Sequence, residues 1–161
     1  MHRLETESRV QRVARIRLVE GDINEVETDA IVTVAATDLS LGDATITDTS
    51  ELPAGCLIRV ATREPGEETT EESVRSATRN ALRIARERGL RSVAFPAIGT
   101  GEGGLLLQRC AEIMLSEAGR PCDGDSLEEI RFVLAGEPAY RVFEQVADAE
   151  RIRMQMEKLR R

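Results

Sequence analysis

The sequence predicts an α/β fold, a three-layer α/β/α sandwich around a mixed, largely parallel sheet. Two observations carry this prediction. Short runs with strand patterning alternate along the chain with longer segments whose apolar residues recur at helical spacing. In addition, residues 30–36 form an almost continuous apolar run, as expected for a strand that is covered on both faces. Such alternation is typical of parallel strands joined by crossover helices.

Further strands are predicted on both sides of this central run. Ala14, Ile16 and Leu18 alternate with arginines, which is the period-2 pattern of a strand with one buried face. The turn Gly21-Asp22-Ile23 ends this first strand. The remaining strands are expected at residues 43–47, 56–62, 92–95 and 130–134.

A first helix is predicted between the strands at residues 56–62 and 92–95. Val74, Ala77 and Ala81 fall on one face of it, with arginines on the opposite face. The spacing Thr69-x-x-Glu72 predicts a capping box at its start. Gly89 stands where the C-terminal end of a helix commonly lies.

Two more helices are predicted in the second half of the chain. One begins near Leu105 and ends at Gly119, with an apolar stripe along its length. The other begins at Tyr140, and its highly charged end contains Met154 and Met156. The sequence leaves open whether this charged end docks on the domain or extends outward.

Length and composition predict one globular domain. The chain has 161 residues, of which 41% are hydrophobic and 32% charged, and this is enough to fill and cover a single core. We expect residues 11–161 to form the domain and residues 1–10 to be an N-terminal extension. A cytoplasmic protein without membrane contact is expected, because no signal sequence or membrane-spanning run is present. The net charge of −7 argues against non-specific binding to nucleic acid.

The sequence offers no pattern for a metal site or a nucleophilic cysteine. Cys56, Cys110 and Cys122 lack a Cys-x-x-Cys spacing, and the only histidine is His2. We therefore expect the cysteines to be packing thiols. No metal, no cofactor and no catalytic residue is predicted.

The glycine-rich turn Ile98-Gly99-Thr100-Gly101-Glu102-Gly103-Gly104 is the strongest candidate for a site. It follows a buried strand and precedes a helix, whose positive N-terminal end can bind an anion together with the amides of the turn. Thr100 can add a hydroxyl donor. The alternative is a tight strand-to-helix connection without a ligand, and the spacing does not decide between the two. No Gly-Lys-Ser/Thr follows, so hydrolysis of a nucleotide by a P-loop is a poor fit.

Several stretches of the chain together match the pattern of one known family. The first strand is followed by Gly-Asp-Ile at residues 21–23 and by Asp-Ala-Ile-Val at residues 29–32, and a later stretch, residues 92–101, reads Ser-Val-Ala-Phe-Pro-Ala-Ile-Gly-Thr-Gly. With these stretches the chain resembles a macrodomain. The most specific match is residues 92–101, which are similar to the second phosphate loop of that family, and residues 42–47, with Leu52-Pro53 beyond them, are similar to its middle strands. The resemblance covers almost the whole chain, about residues 14–147.

The resemblance implies binding of ADP-ribose, which macrodomains bind and which some of them remove from proteins. Asp22 would accept a hydrogen bond from the adenine amino group, with Ile23 beside it; the alternative for Asp22 is a turn or capping residue. The loop residues that would wrap the diphosphate, mainly through backbone amides, are Gly99, Thr100, Gly101, Glu102 and Gly103.

The chain departs from the family pattern around the reacting ribose. Ala36 stands where the family carries the asparagine that orients the distal ribose and the reacting water. Gly103 replaces an aromatic residue that is common in the second loop, and Arg59 aligns with a common histidine. The glycine-rich first phosphate loop and the helix behind it are expected to be missing, because Leu41 is followed almost directly by a strand.

Three functional hypotheses follow from the resemblance and its departures. The first is a reduced macrodomain of the Appr-1-p processing type that binds ADP-ribose or a related nucleotide without hydrolysis. The second is an interaction module in which the cleft left by the missing helix meets a protein partner or a second copy. The third is an ADP-ribose hydrolase in which Asp38 or Asp43 replaces the lost asparagine.

Overall fold

The computed structural model shows a central β-sheet with helices packed against it. The described residues are 11–35, 39–41, 43–64, 66–100, 104–123 and 126–160. The strands are β1 (Gln11–Arg12), β2 (Arg15–Glu20), β3 (Ala30–Val34), β4 (Ala44–Asp48), β5 (Cys56–Val60), β6 (Ser92–Phe95), β7 (Cys122–Asp123) and β8 (Glu129–Leu134). The helices are α1 (Glu71–Glu87), α2 (Leu107–Ala118) and α3 (Glu137–Leu159), and a 3₁₀ turn spans Ile23–Glu25.

The main sheet has the strand order β2-β8-β6-β3-β5-β4. Its strands are parallel except β4, which pairs antiparallel with β5. β1 and β7 pair separately as a short antiparallel ribbon. The predicted α/β fold class, with a mixed and largely parallel sheet, is therefore confirmed. Each predicted strand lies within two residues of its observed bounds. The division into residues 1–10 and 11–161 stays a prediction, because residues 1–10 lie outside the described chain.

The described helices pack side by side on one face of the sheet, with α2 between α1 and α3. At the centre of this core the rings of Phe95, Phe132 and Phe143 join β6, β8 and α3. Their centroids are 5.7 Å apart between Phe95 and Phe132 and 5.5 Å apart between Phe132 and Phe143. These tilted rings are fully buried, and they give the core its largest apolar contacts.

The opposite face of the sheet is covered by loops in the described part of the chain. A second, smaller apolar cluster lies there between the sheet and residues 21–29 and 49–55. Its members are Ile31, Ala54, Ala94 and Val133, with Ile23, Val26, Leu52 and Leu57 packed against them. The third layer of the predicted sandwich is thus formed by these loop segments, and residues 35–43 connect β3 to β4.

α1 begins with a capping box one residue later than predicted. The Thr70 hydroxyl accepts a hydrogen bond from the Ser73 amide at 3.0 Å, and the Ser73 hydroxyl accepts one from the Thr70 amide at 2.9 Å. The predicted box at Thr69 and Glu72 is wrong, because the Thr69 side chain is buried beside Gly99. Gly89 follows the helix with a φ of +72°, as predicted for its C-terminal end.

α3 begins at Glu137, three residues before the predicted start, because Pro138 is compatible with the first turn of a helix. Its residues 151–160 are all exposed, so the charged end extends into solvent and does not dock on the domain. Neither α3 nor any other helix of the described residues is long and apolar enough to cross a membrane.

A buried carboxylate connects α1 to α2. Glu117 of α2 is 4% exposed, and its oxygens lie 3.2 Å from Arg75 and 3.1 Å from Arg79 on α1. Burial raises the pKa of Glu117, but the hydrogen bonds from Arg79 and Arg75 outweigh it and leave the pKa below its ordinary value of 4.5. The ionised form of this carboxyl therefore stabilises the helix pair.

Replacing Glu117 by Gln is expected to destabilise the domain by about 2 kcal/mol at pH 7, because the partly exposed Arg75, Arg79 and Arg120 lose the charge with which they pair. The lowered pKa means that the contribution of Glu117 is complete above pH 4.5 and disappears as pH falls through the folded-state pKa. Urea denaturation at several pH values measures both effects, and the gap between the two proteins should narrow on acidification.

The exposed, ion-paired Glu87 provides the control. Glu87→Gln should change stability by no more than about 0.5 kcal/mol. Equal losses in the two variants would contradict the role assigned to Glu117.

Candidate functional site

A cleft of about 840 Å³ opens at the carboxyl ends of β2, β6 and β8. The connections after β2 and β6 supply residues 21–23 and residues 96, 97 and 100, and the end of β8 together with Ala135 supplies residues 133–135. The start of α2, residues 105–107, and Ala139 of α3 complete the wall. The carboxyl ends of parallel strands converge at one edge of a sheet, which is where open α/β folds bind their ligands.

The cleft brings together predicted site residues from two loops that are distant in sequence. Asp22, Ile23 and Thr100 all line it. Gly99 precedes Thr100 but packs against the helices and does not line the cleft. The predicted residues Gly101, Glu102 and Gly103, and with them Ala36 and Asp38, lie outside the described residues.

Asp22 is the N-cap of the 3₁₀ turn and also faces the cleft. Its Oδ1 accepts a hydrogen bond from the Asn24 amide at 2.9 Å. The capping interpretation is therefore correct, and it uses only one of the two carboxylate oxygens. Within the described residues the second oxygen has no hydrogen-bond donor, so it is available to a donor group of a ligand.

Gly99 has a φ of +84°, and a Cβ on it would lie 2.5 Å from Cγ2 of Val74 and 3.2 Å from Cγ2 of Thr69. Cys110 Sγ would be 3.7 Å away. Both the backbone conformation and the lack of space therefore require glycine here. Because Val74 belongs to α1 and Cys110 to α2, Gly99 lets the loop after β6 pack directly on both helices.

Thr100 uses its hydroxyl group inside this turn. Its Oγ1 donates to the Ala97 carbonyl at 3.1 Å, and the Leu105 amide donates to the Gly99 carbonyl at 2.8 Å, which closes the loop before α2. The hydroxyl therefore stabilises the loop in this state. Its predicted role as a donor to a ligand requires that it leave Ala97.

The N-terminus of α2 lies at the cleft without a capping side chain. Leu106 is its N-cap residue, and no side chain bonds to the first turn. Within the described residues the amides of Leu107, Gln108 and Arg109 have no acceptor, as is usual for the first turn of an uncapped helix. The Arg109 side chain turns to Glu71 and Glu112, at 2.6 Å from each. As far as the described residues show, α2 thus begins with unpaired amides three residues after Gly104.

Sequence reasoning missed the apolar part of the wall. Leu105, Leu106 and Leu107 form one lip, and residues 133–135 form the floor. Leu106 is 78% exposed, which is unusual for a leucine and marks the lip as a surface open to contact. The run of three leucines after the glycines was the available signal, but helical periodicity assigns only Leu107 to an apolar stripe and makes no prediction for Leu106.

Among the described residues that line the cleft, Asp22 is the only one with a charged side chain. A ligand with an apolar, hydrogen-bonding base fits this lining, and an anionic group would depend on backbone amides. The described residues contain no group of three or more His, Cys, Asp or Glu that can hold a metal ion. Cys110 is fully buried, and this raises its pKa to about 11, as expected for a packing thiol.

Sequence matches identify the family. A family model described as Macro domain matches residues 18–114. A macro domain-containing protein of Caldanaerobacter subterraneus is 27% identical in a match that covers 80% of this chain and 93% of that protein. A protein of Mycobacterium tuberculosis is 39% identical over 105 residues, which span 65% of this chain and 29% of the mycobacterial protein. The chain thus covers under a third of that relative's length. The family model matches residues 18–114, which are more than half of this chain, and the chain therefore belongs to the macrodomain family.

Solved structures show the same fold. The Trypanosoma brucei macrodomain in complex with ADP-ribose has a TM-score of 0.73 and 23% identity, covering 83% of this chain and 69% of that one. The Oceanobacillus iheyensis macrodomain with ADP has a TM-score of 0.74 and 19% identity, covering 89% of this chain and 97% of that one. The predicted macrodomain resemblance is confirmed at the level of family and fold.

Replacing Gly99 by Ala is expected to destabilise the domain by about 3 kcal/mol, because strain at positive φ adds to a clash with Val74. Gly55→Ala is the matched control: its φ is +81°, but a Cβ there meets nothing within 4 Å. Gly55→Ala should lower the free energy of unfolding by only about 1 kcal/mol. Urea denaturation compares the two, and equal losses would show that close packing at Gly99 contributes nothing.

Proposed function

We propose that this protein binds ADP-ribose, or a related nucleotide, in the cleft at the carboxyl ends of β2, β6 and β8, without hydrolysing it. The observation that carries the proposal is the meeting of Asp22 and Thr100 with the uncapped start of α2 in one cleft. These groups come from separate segments. Membership of the macrodomain family, and the ADP and ADP-ribose in the similar structures, indicate the ligand class.

Two parts of the cleft suit two parts of such a ligand, the base and the diphosphate. The second carboxylate oxygen of Asp22 can accept from the adenine amino group while Ile23 packs against the base. The first-turn amides of α2 and the partial positive charge of the helix can bind the diphosphate. The apolar lip of Leu105, Leu106 and Leu107 would cover the ligand between them.

The lining also supports binding without turnover. Among the described residues of the cleft, only Asp22 and Thr100 carry polar side-chain groups. The Thr100 hydroxyl is bonded to Ala97, and Asp22 is placed for the base and not for a water at the distal ribose. Ala36, which replaces the asparagine of hydrolytic members, cannot orient that water. Hydrolysis requires such positioning of the reacting water.

Titration with ADP-ribose should raise the melting temperature. Ligand at a hundred times its dissociation constant adds about 2.7 kcal/mol, which corresponds to about 5 to 10 °C for a domain of this size. A thermal-shift assay measures this change, with ADP and AMP as comparison ligands. No shift with any of them at millimolar concentration would eliminate the proposal and favour the interaction module.

Asp22→Ser should weaken ADP-ribose binding about tenfold or more, because the second acceptor oxygen is lost while serine preserves the N-cap. Calorimetric titration gives the affinity, and the melting temperature without ligand should hardly change. Glu25→Ser is the control, since Glu25 lies in the same 3₁₀ turn but does not line the cleft. Unchanged affinity in Asp22→Ser would place the base elsewhere.

Incubation with an ADP-ribosylated protein should release no more ADP-ribose than a heat-denatured sample of the same protein. The reason is the absence of a water-positioning group at Ala36. Release above that background would instead support the hydrolase hypothesis. Loss of this release in Asp43→Asn would then assign the relocated acid to Asp43.

A further inference from the structure

The end of α3 carries an apolar stripe that nothing in the described chain covers. Ile152, Met156 and Leu159 are 57%, 53% and 86% exposed, and Ala149, three residues before Ile152, is exposed as well. These residues follow one another at intervals of three, four and three. This is the a/d spacing of a coiled-coil seam, in which apolar side chains of two helices interlock.

The stripe faces away from the domain. Phe143 and Val146 are the residues that α3 buries against the core. Successive residues of a helix are about 100° apart, so Ile152 lies about half a turn around the axis from Phe143. A second helix can therefore approach the stripe from the solvent side, while α3 keeps its contacts with α2 and the sheet.

The charges beside the stripe favour a helix that runs in the same direction. With Ala149 and Met156 at a positions, Asp148 and Gln155 occupy g positions, and Arg153 and Arg160 occupy e positions. In a parallel pair, Asp148 of each helix faces Arg153 of the second copy. In an antiparallel pair, Arg153 would face Arg160 of the second copy, which is repulsive.

The same pattern argues against a membrane surface as the partner. Helices that lie on membranes carry mainly Lys and Arg on their polar face. Here Arg153 pairs within the helix with Glu150 at 2.5 Å and with Glu157 at 3.8 Å, and Asp148 pairs with Arg151 at 3.0 Å. Acidic groups are thus interleaved with the basic ones along the exposed helix.

We propose that α3 pairs with α3 of a second copy of this chain as a short parallel coiled coil. The apolar seam supplies the affinity, and the Asp148–Arg153 contacts between copies set the direction. Two heptads bury less surface than a standard interface, so the association is weak and depends on concentration. The proposal is independent of nucleotide binding, because Leu159 is about 30 Å along the helix from Ala139 at the cleft.

Sedimentation velocity over a dilution series tests the pairing. The unmodified chain should shift from dimer to monomer on dilution, and Ile152→Glu should raise the dimer dissociation constant at least tenfold. Met154→Glu is the matched control: it adds the same charge at a 55% exposed position of the same helix, but outside the stripe. The control should dimerise like the unmodified chain.

Disulfide cross-linking tests the direction. Leu159→Cys should form a cross-linked dimer under mild oxidation, because the two residues meet at a d position of the parallel seam. In the antiparallel arrangement, with Leu159 opposite Ala149, the two Leu159 residues are about 15 Å apart and cannot be bridged. The unmodified chain is the control for cross-linking through the native cysteines. Met154→Cys, outside the stripe, is the control for cross-linking by random collision.

Three results would overturn the proposal. The first is a monomer at every concentration, including one that co-sediments with anionic vesicles. The second is a dimer that Ile152→Glu leaves intact, since another surface would then form it. The third is equal dissociation by Ile152→Glu and Met154→Glu, which would show that the stripe has no special role.

Discussion

The close packing at Gly99 is the constraint on which the site depends. A positive φ and a Cβ position only 2.5 Å from Val74 mean that the loop after β6 can lie on α1 and α2 only if this residue is glycine. The Leu105 amide then closes the loop onto the Gly99 carbonyl, and α2 begins two residues later. The direction of α2, and with it the position of its unpaired amides, follows from this packing.

Around that loop, the sheet places the other half of the cleft. β2, β8 and β6 are adjacent and parallel, so the Gly21–Ile23 turn and the end of β8 reach the same edge as the loop after β6. Asp22 lines the cleft and caps its own turn with one oxygen, and among the described residues the other oxygen has no donor. The protein thereby combines rigid local structure with open hydrogen-bonding groups, which is what a preorganised binding site requires.

Structural features that depend on residues close together in the chain could be predicted from the sequence. The 3.6-residue and 2-residue periods gave the helices and strands, and the segment from Phe95 to Thr100 gave the family. Features set by contacts between distant segments could not be predicted. Thr70, and not Thr69, is the N-cap of α1, because the Thr69 side chain is buried beside Gly99. Leu106 is exposed at the cleft although it stands between two other leucines. The predicted contact of Gly99 with a phosphate stays a prediction, and its close packing against Val74 of α1 and Cys110 of α2 could not be predicted from the sequence.

An NMR titration of the ¹⁵N-labelled protein with ADP-ribose tests the proposed site most directly. Amide shifts should change at residues 21–23, at Thr100 and at residues 105–109, with little change along residues 149–160 of α3. The first-turn amides of α2 should move most, because they would contact the diphosphate. Shifts confined to another surface, or no shifts at saturating ligand, would contradict the assignment of this cleft as the nucleotide site.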